Sequence, residues 1–389
     1  MSLKNMKLAE CCISITDGDH LPPPKSENGI PFVTIANINS ANQFDFTNTM
    51  FVPKEYYDKL DIKRKVQIGD VLYSVVGSFG IPVFIKDNKK FVFQRHISIL
   101  RPNEKIVPRF LYYTMLSKDF YAKADAAAIG AAQRTVSLTS LRNIEINVPS
   151  IEKQNKIVHI LSAYDDLIEN NQKQIKLLEE AAHRLYKEWF VDLRFPGHEN
   201  TPIVNGVPQG WRKERLVDIA DVQYGYAFDG SLFNSEGNGI PIIRIRNIPD
   251  GITKDYTTEE ASEQYIVKNG DIIVGMDGEF HINSWCGTNS YLVQRTCCIK
   301  PKNSDMKGYL LQAIYEPIKF FESTVVGATV AHLGKKHIDT ITIFTSPEEM
   351  YVPFQLYFNK RQLLFNQNQK LSEARDRLLQ KLMCGEIEG

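Results

Sequence analysis

The chain has 389 residues, and its 46 basic and 46 acidic side chains cancel, so no excess of positive charge marks it as a freestanding nucleic-acid binder. Hydrophobic residues at 43% and charged residues at 24% exclude a fibrous or disordered protein, and the length predicts two globular domains. No apolar run reaches the roughly 18 residues of a membrane span and no signal peptide opens the chain, so we expect a cytoplasmic protein with no membrane partner.

Residues 1–149 predict a globular module of mixed strands and helices. Short runs of β-branched and aromatic residues, separated by Gly, Pro and Asn, indicate strands. These strands are predicted at Pro31–Ile38, Val71–Val76 and Phe91–Leu100. Gly69-Asp70 before the second run is typical of a tight turn into a buried strand, with a ligand role as the alternative. Helical spacing of Leu and aromatic residues follows at Pro108–Ala128.

A long helix is predicted next, over residues 150–195. Pro149-Ser150 is a helix start and Phe195-Pro196-Gly197 a helix stop, which gives a length of about 60 Å at 1.5 Å per residue. Its apolar residues alternate at spacings of four and three, which indicates a heptad seam. The seam positions predicted on this helix are Ile157, Leu161, Ile168, Asn171, Ile175, Leu178 and Leu185.

Residues 196–346 repeat the first module at a distance of roughly 200 residues, and such a repeat determines the architecture. The matching landmarks are Gly29-Ile30-Pro31 with Gly239-Ile240-Pro241, Gly69-Asp70 with Gly270-Asp271, Gln94-Arg95 with Gln294-Arg295, and Gly130, Ile144 and Ile146 with Gly327, Ile341 and Ile343. Helical spacing recurs at Lys307–Ser323, so both modules are predicted to be mixed α/β.

A second long helix is predicted over residues 347–389. Its seam positions are Tyr357, Leu364, Gln367, Leu371 and Leu378. A long apolar stripe needs a partner, so we predict that the two long helices form an antiparallel coiled coil within the chain. Asn171 and Gln367 are expected at equivalent seam positions, where polar residues fix the register; a solvated edge is the alternative.

Several motifs, taken together, have a counterpart in one protein family. They are Ile151-Glu152-Lys153-Gln154, Asp165-Asp166-Leu167-Ile168, Leu185-Tyr186-Lys187-Glu188-Trp189-Phe190 and Pro208-Gln209-Gly210-Trp211. With the repeat, they make nearly the whole chain resemble the specificity subunit of type I restriction-modification enzymes. Two places depart from that pattern. The first module lacks the Pro-x-Gly-Trp opening, so we expect a truncated or differently built first strand, and Ser346–Met350 replaces the Pro-Ser-Ile-Glu-Lys-Gln helix start.

The resemblance implies a non-catalytic subunit of a larger enzyme. Each module is then a target recognition domain that reads one half of a bipartite double-stranded DNA sequence. The helices set the spacer between the halves and dock two methyltransferase subunits, which restriction subunits join. S-adenosylmethionine, ATP and magnesium are implied for those partners, and no cofactor is implied for this chain.

Candidate DNA contacts follow from side-chain chemistry, because Arg and Gln on loops can bind base edges through two hydrogen bonds while Lys mainly holds phosphates. A solvated or ion-paired surface charge is the alternative at each position. The candidates are Arg95, Gln133, Arg134, Arg244, Arg246, Arg295, Lys335 and Lys336. His20, in the predicted turn Asp17-Gly18-Asp19-His20, is a further base or phosphate contact to consider.

No catalytic or metal-binding residue is predicted. Leu21-Pro22-Pro23-Pro24 lacks the polar and aromatic residues of an amino-methyltransferase motif, and Gly334-Lys335-Lys336 lacks the glycine spacing and Ser/Thr of a phosphate loop. The six cysteines have no Cys-x-x-Cys spacing and are expected to be reduced and structural. A self-sufficient nuclease or methyltransferase, and a coiled-coil adaptor that binds only proteins, remain as alternatives.

Overall fold

The structure is a computed structural model that describes residues 4–20, 22–39, 41–131, 133–324 and 331–387. Leu21 and Gly327, both discussed above, lie outside these ranges. The chain divides into two compact units: unit 1 is Met1–Leu167 with Leu371–Gly389, and unit 2 is Ile168–Lys370. Module 1, residues 1–149, lies in unit 1, and module 2, residues 196–346, lies in unit 2. In the described part of the chain, no helix is long and apolar enough to cross a membrane.

Module 1 is a mixed α/β domain. Its strands are β1 Lys4–Lys7, β2 Cys12–Asp17, β3 Ile30–Val33, β4 Met50–Val52, β5 Val71–Ser74, β6 Pro82–Phe84, β7 Val92–Phe93, β8 Ile97–Pro102 and β9 Glu145–Val148. Its helices are α1 Leu8–Cys11, α2 Lys54–Lys59, α3 Pro108–Leu116, α4 Lys118–Ala126 and α5 Leu138–Asn143. The long helix α6, Ile151–Tyr186, follows and continues as a π-helix over Lys187–Val191.

Strand β5 lies at the centre of module 1, in a sheet of order β2-β8-β5-β6. Successive side chains on a strand point to opposite faces, and those of β5 are buried on both. Val71 and Tyr73 pack into a core with helix α3, while Leu72 packs into a second core with Val33 of the β4-β3-β7 sheet. The sheet is therefore covered on both faces.

Module 2 repeats this arrangement. Its strands are β10 Ile203–Val204, β11 Val207–Pro208, β12 Arg212–Arg215, β13 Ala220–Tyr224, β14 Phe233–Asn234, β15 Ile240–Ile243, β16 Tyr256–Thr257, β17 Ile266–Val267, β18 Ile272–Gly275, β19 Ile282–Ser284, β20 Ser290–Leu292, β21 Thr296–Pro301 and β22 Thr342–Thr345. Its helices are α7 Leu216–Ile219, α8 Lys307–Ala313, α9 Tyr315–Thr324 and α10 Lys335–Thr340, before the long helix α11 Val352–Cys384. The sheet order β13-β21-β18-β19 matches β2-β8-β5-β6, which confirms the repeat.

The first strand of module 1 corrects one expectation. Strand β1 pairs with β9 in the same way as β12 pairs with β22. Leu8 then donates its backbone N–H to Ile144 at 3.0 Å, as Leu216 does to Ile341 at 2.9 Å. The prediction of a truncated or differently built strand is wrong, because backbone pairing does not require the Pro-x-Gly-Trp residues. In module 2, Trp211 instead packs against Phe190 and Phe195.

Three of the predicted elements are interrupted or end early, two of them because of local polar side chains. The strand predicted to Ile38 ends at Val33, because Asn37 accepts the backbone N–H of Thr34 at 2.8 Å and closes a 3-10 turn. The hydroxyl of Ser117 caps the start of α4, so the predicted helix at 108–128 is two helices. The run at 91–100 is two strands separated by a turn at residues 94–96.

Gly69-Asp70 forms the predicted tight turn into β5, with Gly69 at φ +91°. Asp70 is 2% exposed, and its carboxylate accepts the backbone N–H of Gln67. Arg101 donates two further hydrogen bonds to that carboxylate, at 3.0 and 2.9 Å. The buried negative charge is thus fully paired. In module 2, Asp271 takes this position and pairs with Lys300 and Lys307.

Replacing Asp70 with Ala should destabilise module 1 strongly, because it leaves the largely buried Arg101 guanidinium without its carboxylate partner. We expect a loss of about 3 kcal/mol in the free energy of unfolding. Asp119→Ala, which removes an exposed ion pair with Lys123, is the control and should change stability by less than about 0.5 kcal/mol. Urea unfolding of the full chain measures both. Equal effects of the two variants would contradict the structural role of the buried pair.

The long helices contact each other within each unit. In unit 1, Arg375 donates to Asp165 at 2.8 Å, and Leu161, Leu379 and Leu382 share one core. In unit 2, Asn171 donates to Asn368 at 2.9 Å and Arg361 donates to Glu179 at 2.5 Å. Partner numbers fall on α11 as they rise on α6 in unit 2, so these helix segments run antiparallel, as expected. Coiled-coil packing in the strict sense remains a prediction.

The predicted seam agrees with burial on α6 but needs a correction on α11. Buried predicted positions are Ile157, Leu161, Ile168, Asn171, Ile175 and Leu364, and half-buried ones are Leu178, Leu185, Tyr357, Leu371 and Leu378. Gln367 is exposed, and its neighbour Asn368 bonds to Asn171 instead. The reason is that polar Arg361 and Asn368 belong to the buried face of α11, which an apolar heptad pattern cannot reveal.

The Asn171–Asn368 pair predicts strong coupling between two substitutions. Asn171→Leu alone leaves Asn368 with one hydrogen bond fewer in a largely buried position, so we expect a loss of about 1–2 kcal/mol in the free energy of unfolding. The double variant Asn171→Leu/Asn368→Leu removes both polar groups and should recover most of that loss. A double-mutant cycle by urea unfolding measures the coupling. Additive losses would show that the two amides do not interact.

Candidate nucleic-acid interface

Loops from separate parts of module 1 meet beside the ends of its central strands. The turn at 94–96 is held by backbone hydrogen bonds from Gln94 to Val33 at 3.1 Å and from Val75 to His96 at 2.8 Å. Gly77 then donates to the carbonyl oxygen of Arg134 at 3.0 Å. We call this cluster loop edge 1 and define it as residues 17–20, 33–34, 75–80, 94–96 and 133–136.

Module 2 builds the same cluster with the same backbone hydrogen bonds. Val293 donates to Ile243 at 3.2 Å, Met276 to Arg295 at 2.8 Å and Gly278 to Ala331 at 3.0 Å. We define loop edge 2 as residues 224–226, 243–244, 276–280, 293–295 and 331–334. One glycine in each module is required by this packing, because a Cβ on Gly18 would lie 2.1 Å from the Phe93 oxygen and one on Gly225 2.0 Å from the Val293 oxygen.

The side chains at equivalent backbone positions of these loops differ in charge. Equivalence follows from shared hydrogen bonds and strand bridges. The pairs, module 1 first, are Thr34 and Arg244, Val76 and Asp277, His96 and Arg295, Arg134 and Ala331, and Thr135 and His332. Ala36 and Arg246 are equivalent in the same way, on the 3-10 turns that follow these loops. The two modules therefore keep these backbone hydrogen bonds and change the side chains that the loops present.

This register corrects one landmark of the repeat. The sequence pairs Gln94-Arg95 with Gln294-Arg295, but the backbone pairs Arg95 with Gln294, since each donates its N–H to the preceding loop, at Asp19 and Tyr226 respectively. The identical dipeptides are thus offset by one position. Strand register decides which residues are equivalent, and by this register His96 of module 1 is the counterpart of Arg295 in module 2.

The candidates of module 1 lie together on loop edge 1. Arg95 and Gln133 are exposed. Arg134 is 45% exposed and donates to both the carboxylate and the backbone oxygen of Asp125, each at 2.6 Å. Arg134 also lies over the ring of Phe79, at 5.8 Å from its centroid. Loop edge 1 thus presents two exposed hydrogen-bond donors, Arg95 and Gln133, and a third, Arg134, that is paired with Asp125.

The candidates of module 2 divide into two groups. Arg244 and Arg295 lie on loop edge 2, and Arg244 is half-buried over the ring of Phe233. Lys335 and Lys336 begin helix α10 directly after this edge and are both exposed. Arg246 lies on the 3-10 turn beyond it. These positions supply positive charge, which double-stranded DNA binds through its phosphates.

Arg246 is held by a carboxylate rather than left free. It donates to Asp255 at 2.5 and 3.2 Å, and Asn247 donates to the same group at 3.1 Å. Burial raises the pKa of Asp255, but the hydrogen bonds from Arg246 and Asn247 outweigh it and hold the pKa below its ordinary value. The ion pair orients the guanidinium, so binding DNA through Arg246 requires either this orientation or loss of the pair.

Two polar clusters were missed by sequence reasoning. In module 1, Arg64 lies 3.8 Å from Asp17 and 3.6 Å from Asp19, while His20, the further candidate, contacts Asp17 at 2.8 Å. In module 2, Asp277 contacts Arg295 and His332. An alignment of the two repeats by structure shows that Asp277, the acid of the second cluster, has no charged counterpart in module 1, where Val76 takes its place. No group of three or more His, Cys, Asp or Glu side chains among the described residues could hold a metal ion.

A family model described as the type I restriction modification DNA specificity domain matches this chain twice, at residues 14–180 and 208–349. The chain belongs to this family. Each match contains one loop edge in full, and the tandem matches agree with the structural repeat. The specificity-subunit resemblance is therefore confirmed, and the family implies recognition of DNA sequence.

Named relatives and a solved structure agree with this assignment. The chain is 29% identical to the type I restriction enzyme MjaIX specificity subunit of Methanocaldococcus jannaschii, over 74% of this chain and 70% of that protein. It is 23% identical to the HindI specificity subunit of Haemophilus influenzae, over 92% and 95% of the two chains. The crystal structure of the type I S subunit from M. genitalium has the same fold, with a TM-score of 0.55 at 15% identity, covering 98% and 96%.

The Arg246–Asp255 pair predicts a pH-dependent contribution to stability. A carboxyl whose folded-state pKa is lowered stabilises the fold above the unfolded-state value of about 3.9 and loses that contribution as the pH falls through the folded-state value. Arg246→Met should therefore lower the free energy of unfolding at pH 7, by at most about 1 kcal/mol because Arg246 is 61% exposed. Its difference from wild type should shrink below about pH 4.

Urea unfolding at pH 7 and pH 3.5 measures this difference. Arg212→Met, which removes an exposed arginine of strand β12, is the matched control and should show no such pH dependence. A deficit of Arg246→Met that is the same at both pH values would contradict the assigned ion pair.

Proposed function

We propose that this chain is the non-catalytic subunit that gives a type I restriction-modification complex its DNA specificity, with each module reading one half of a bipartite double-stranded target. One observation carries the proposal: the two loop edges share their backbone hydrogen bonds but differ in the charge of the side chains that they present. A common frame with different side chains is what two readers of different half-sequences require.

The chemistry of the loop edges supports direct reading of bases. Arginine and glutamine donate paired hydrogen bonds to guanine and adenine edges, and lysine binds phosphate without selecting a base. Arg95, Gln133 and Arg134 are proposed for one half-site. Arg244, Arg246 and Arg295 are proposed for the other, with Lys335 and Lys336 on phosphates. A neutral chain can bind in this way because the charge is local.

The long helices are proposed to set the spacer between the half-sites and to dock two methyltransferase subunits. Exposed apolar side chains on these helices support docking: Leu177, Leu356 and Leu363 are 64%, 63% and 50% exposed. Leu356 and Leu363 are two turns apart on α11 and therefore share a face. Large apolar residues clustered on a surface mark sites of protein contact. Restriction subunits would join this core, and S-adenosylmethionine, ATP and magnesium would act on those partner subunits.

The same exposed leucines would also suit an adaptor that binds only proteins, so the test must separate the two functions. We would co-express the chain with the methyltransferase encoded beside it, in a host without type I methylation. Adenine methylation would then be mapped by single-molecule sequencing. We expect methylation at one split motif with a fixed gap, and none when the chain is omitted.

The control is the same methyltransferase with a relative of known, different specificity. An active complex that methylates no split motif, although the chain co-purifies with its partner, would exclude DNA specificity and leave the adaptor function. Nuclease or methyltransferase activity of the purified chain alone would exclude the non-catalytic assignment.

A further inference from the structure

A single carboxylate connects two loops of loop edge 2. Arg295 donates from Nη1 to Oδ2 of Asp277 at 2.6 Å, and Nδ1 of His332 lies 2.5 Å from Oδ1 of the same group. Arg295 is 58% exposed and His332 is 51% exposed, whereas Asp277 is 24% exposed. The acid thus lies beneath two side chains that face solvent.

This cluster is not needed to build the edge. Module 1 has Val76, His96 and Thr135 at the positions of Asp277, Arg295 and His332, and it still forms the same backbone bridge between residues 76 and 135. The hydrogen bond from Val75 to His96 is likewise kept. Since module 1 forms this bridge and this hydrogen bond without the charges, neither depends on the charged cluster of module 2.

Arg295 has hydrogen-bond donors that its pair with Asp277 does not use. With Nη1 occupied by Asp277, its Nε and Nη2 donors have no hydrogen-bond partner among the described residues. These two parallel donors match the O6 and N7 acceptors of guanine in the major groove. Arg295 also has φ +67°, a left-handed conformation that is uncommon for a residue with a side chain and is concentrated at functional sites.

We propose that Arg295 reads a guanine through Nε and Nη2. Asp277 is then a positioning residue that holds these two donors of the guanidinium toward the DNA. The assignment deepens the proposed function and rests on it. Asp277 is assigned to positioning and not to base contact because it is less exposed than Arg295 and His332, and each of its oxygens contacts one of them. His332 contacts the second oxygen of the same carboxylate.

The test uses the co-expressed complex and compares the methylated motif of each variant position by position. Arg295→Ala should reduce the preference for G·C at one position, in one half of the motif, by about 5- to 150-fold. Asp277→Ala should relax the same position by a smaller factor. Asp277→Asn keeps one oxygen that can accept from Arg295 and should be intermediate.

A purely structural role of Asp277 would lower methylation at every site equally, so the position-specific change is the deciding readout. In an Arg295→Ala background, Asp277→Ala should have no further effect on base preference, because it acts through that arginine. Arg134→Ala, in module 1, must not relax the same half of the motif. Asp218→Asn breaks an exposed Arg215–Asp218 pair elsewhere in module 2 and should leave the motif unchanged.

Each alternative result has a distinct meaning. If Arg295→Ala leaves the motif unchanged, the assignment of Arg295 is wrong. If Asp277→Ala changes the preferred base in the Arg295→Ala background, Asp277 contacts a base and is not a positioning residue. If wild type directs no split motif at all, the proposed function fails and not this inference alone. Thermal unfolding of each variant confirms that it folds.

Discussion

The attachment of each module to its long helix depends on a glutamine near the helix start. Gln154 is completely buried; its oxygen accepts from the backbone of Val107 at 2.7 Å, and its amide donates to Lys105 and Pro149. An unsatisfied buried amide would cost about 1–3 kcal/mol, so this geometry holds helix α6 against the loop before α3. In module 2 the oxygen of Gln355 accepts from Gly308 at 3.2 Å. In each unit, this side chain therefore joins the module to a long helix.

In the loop edges, backbone and side chains have separate tasks. Backbone hydrogen bonds among the loops, such as those from Val75 to His96 and from Met276 to Arg295, recur in both modules. The side chains at the same positions do not recur. A recognition protein can change its target in this way without changing its fold, because base edges are read by side chains while the loop shape is held by the main chain.

Module 2 is tied to the helices by a polar network as well as by apolar packing. Arg361 of α11 is 6% exposed and donates to Glu179, Ser284 and Asn283. A buried charge is tolerated only when it is paired and hydrogen-bonded, and here each guanidinium nitrogen has an acceptor. The network joins α11 to α6 and to strand β19, and so fixes the sheet of module 2 on the helices of its own unit.

The sequence by itself determined the repeat, the mixed α/β class, the two long helices and the family, because Gly-Asp turns, strand runs and heptad spacing are local patterns. It also identified exposed cations such as Arg295 and Arg134. Only the tertiary structure decided that Asn368 and not Gln367 meets Asn171, that His96 is the counterpart of Arg295, and that Asp277 lies beneath Arg295. These pairings depend on strand register and on contacts between residues far apart in the chain, and a pattern read along one sequence contains neither.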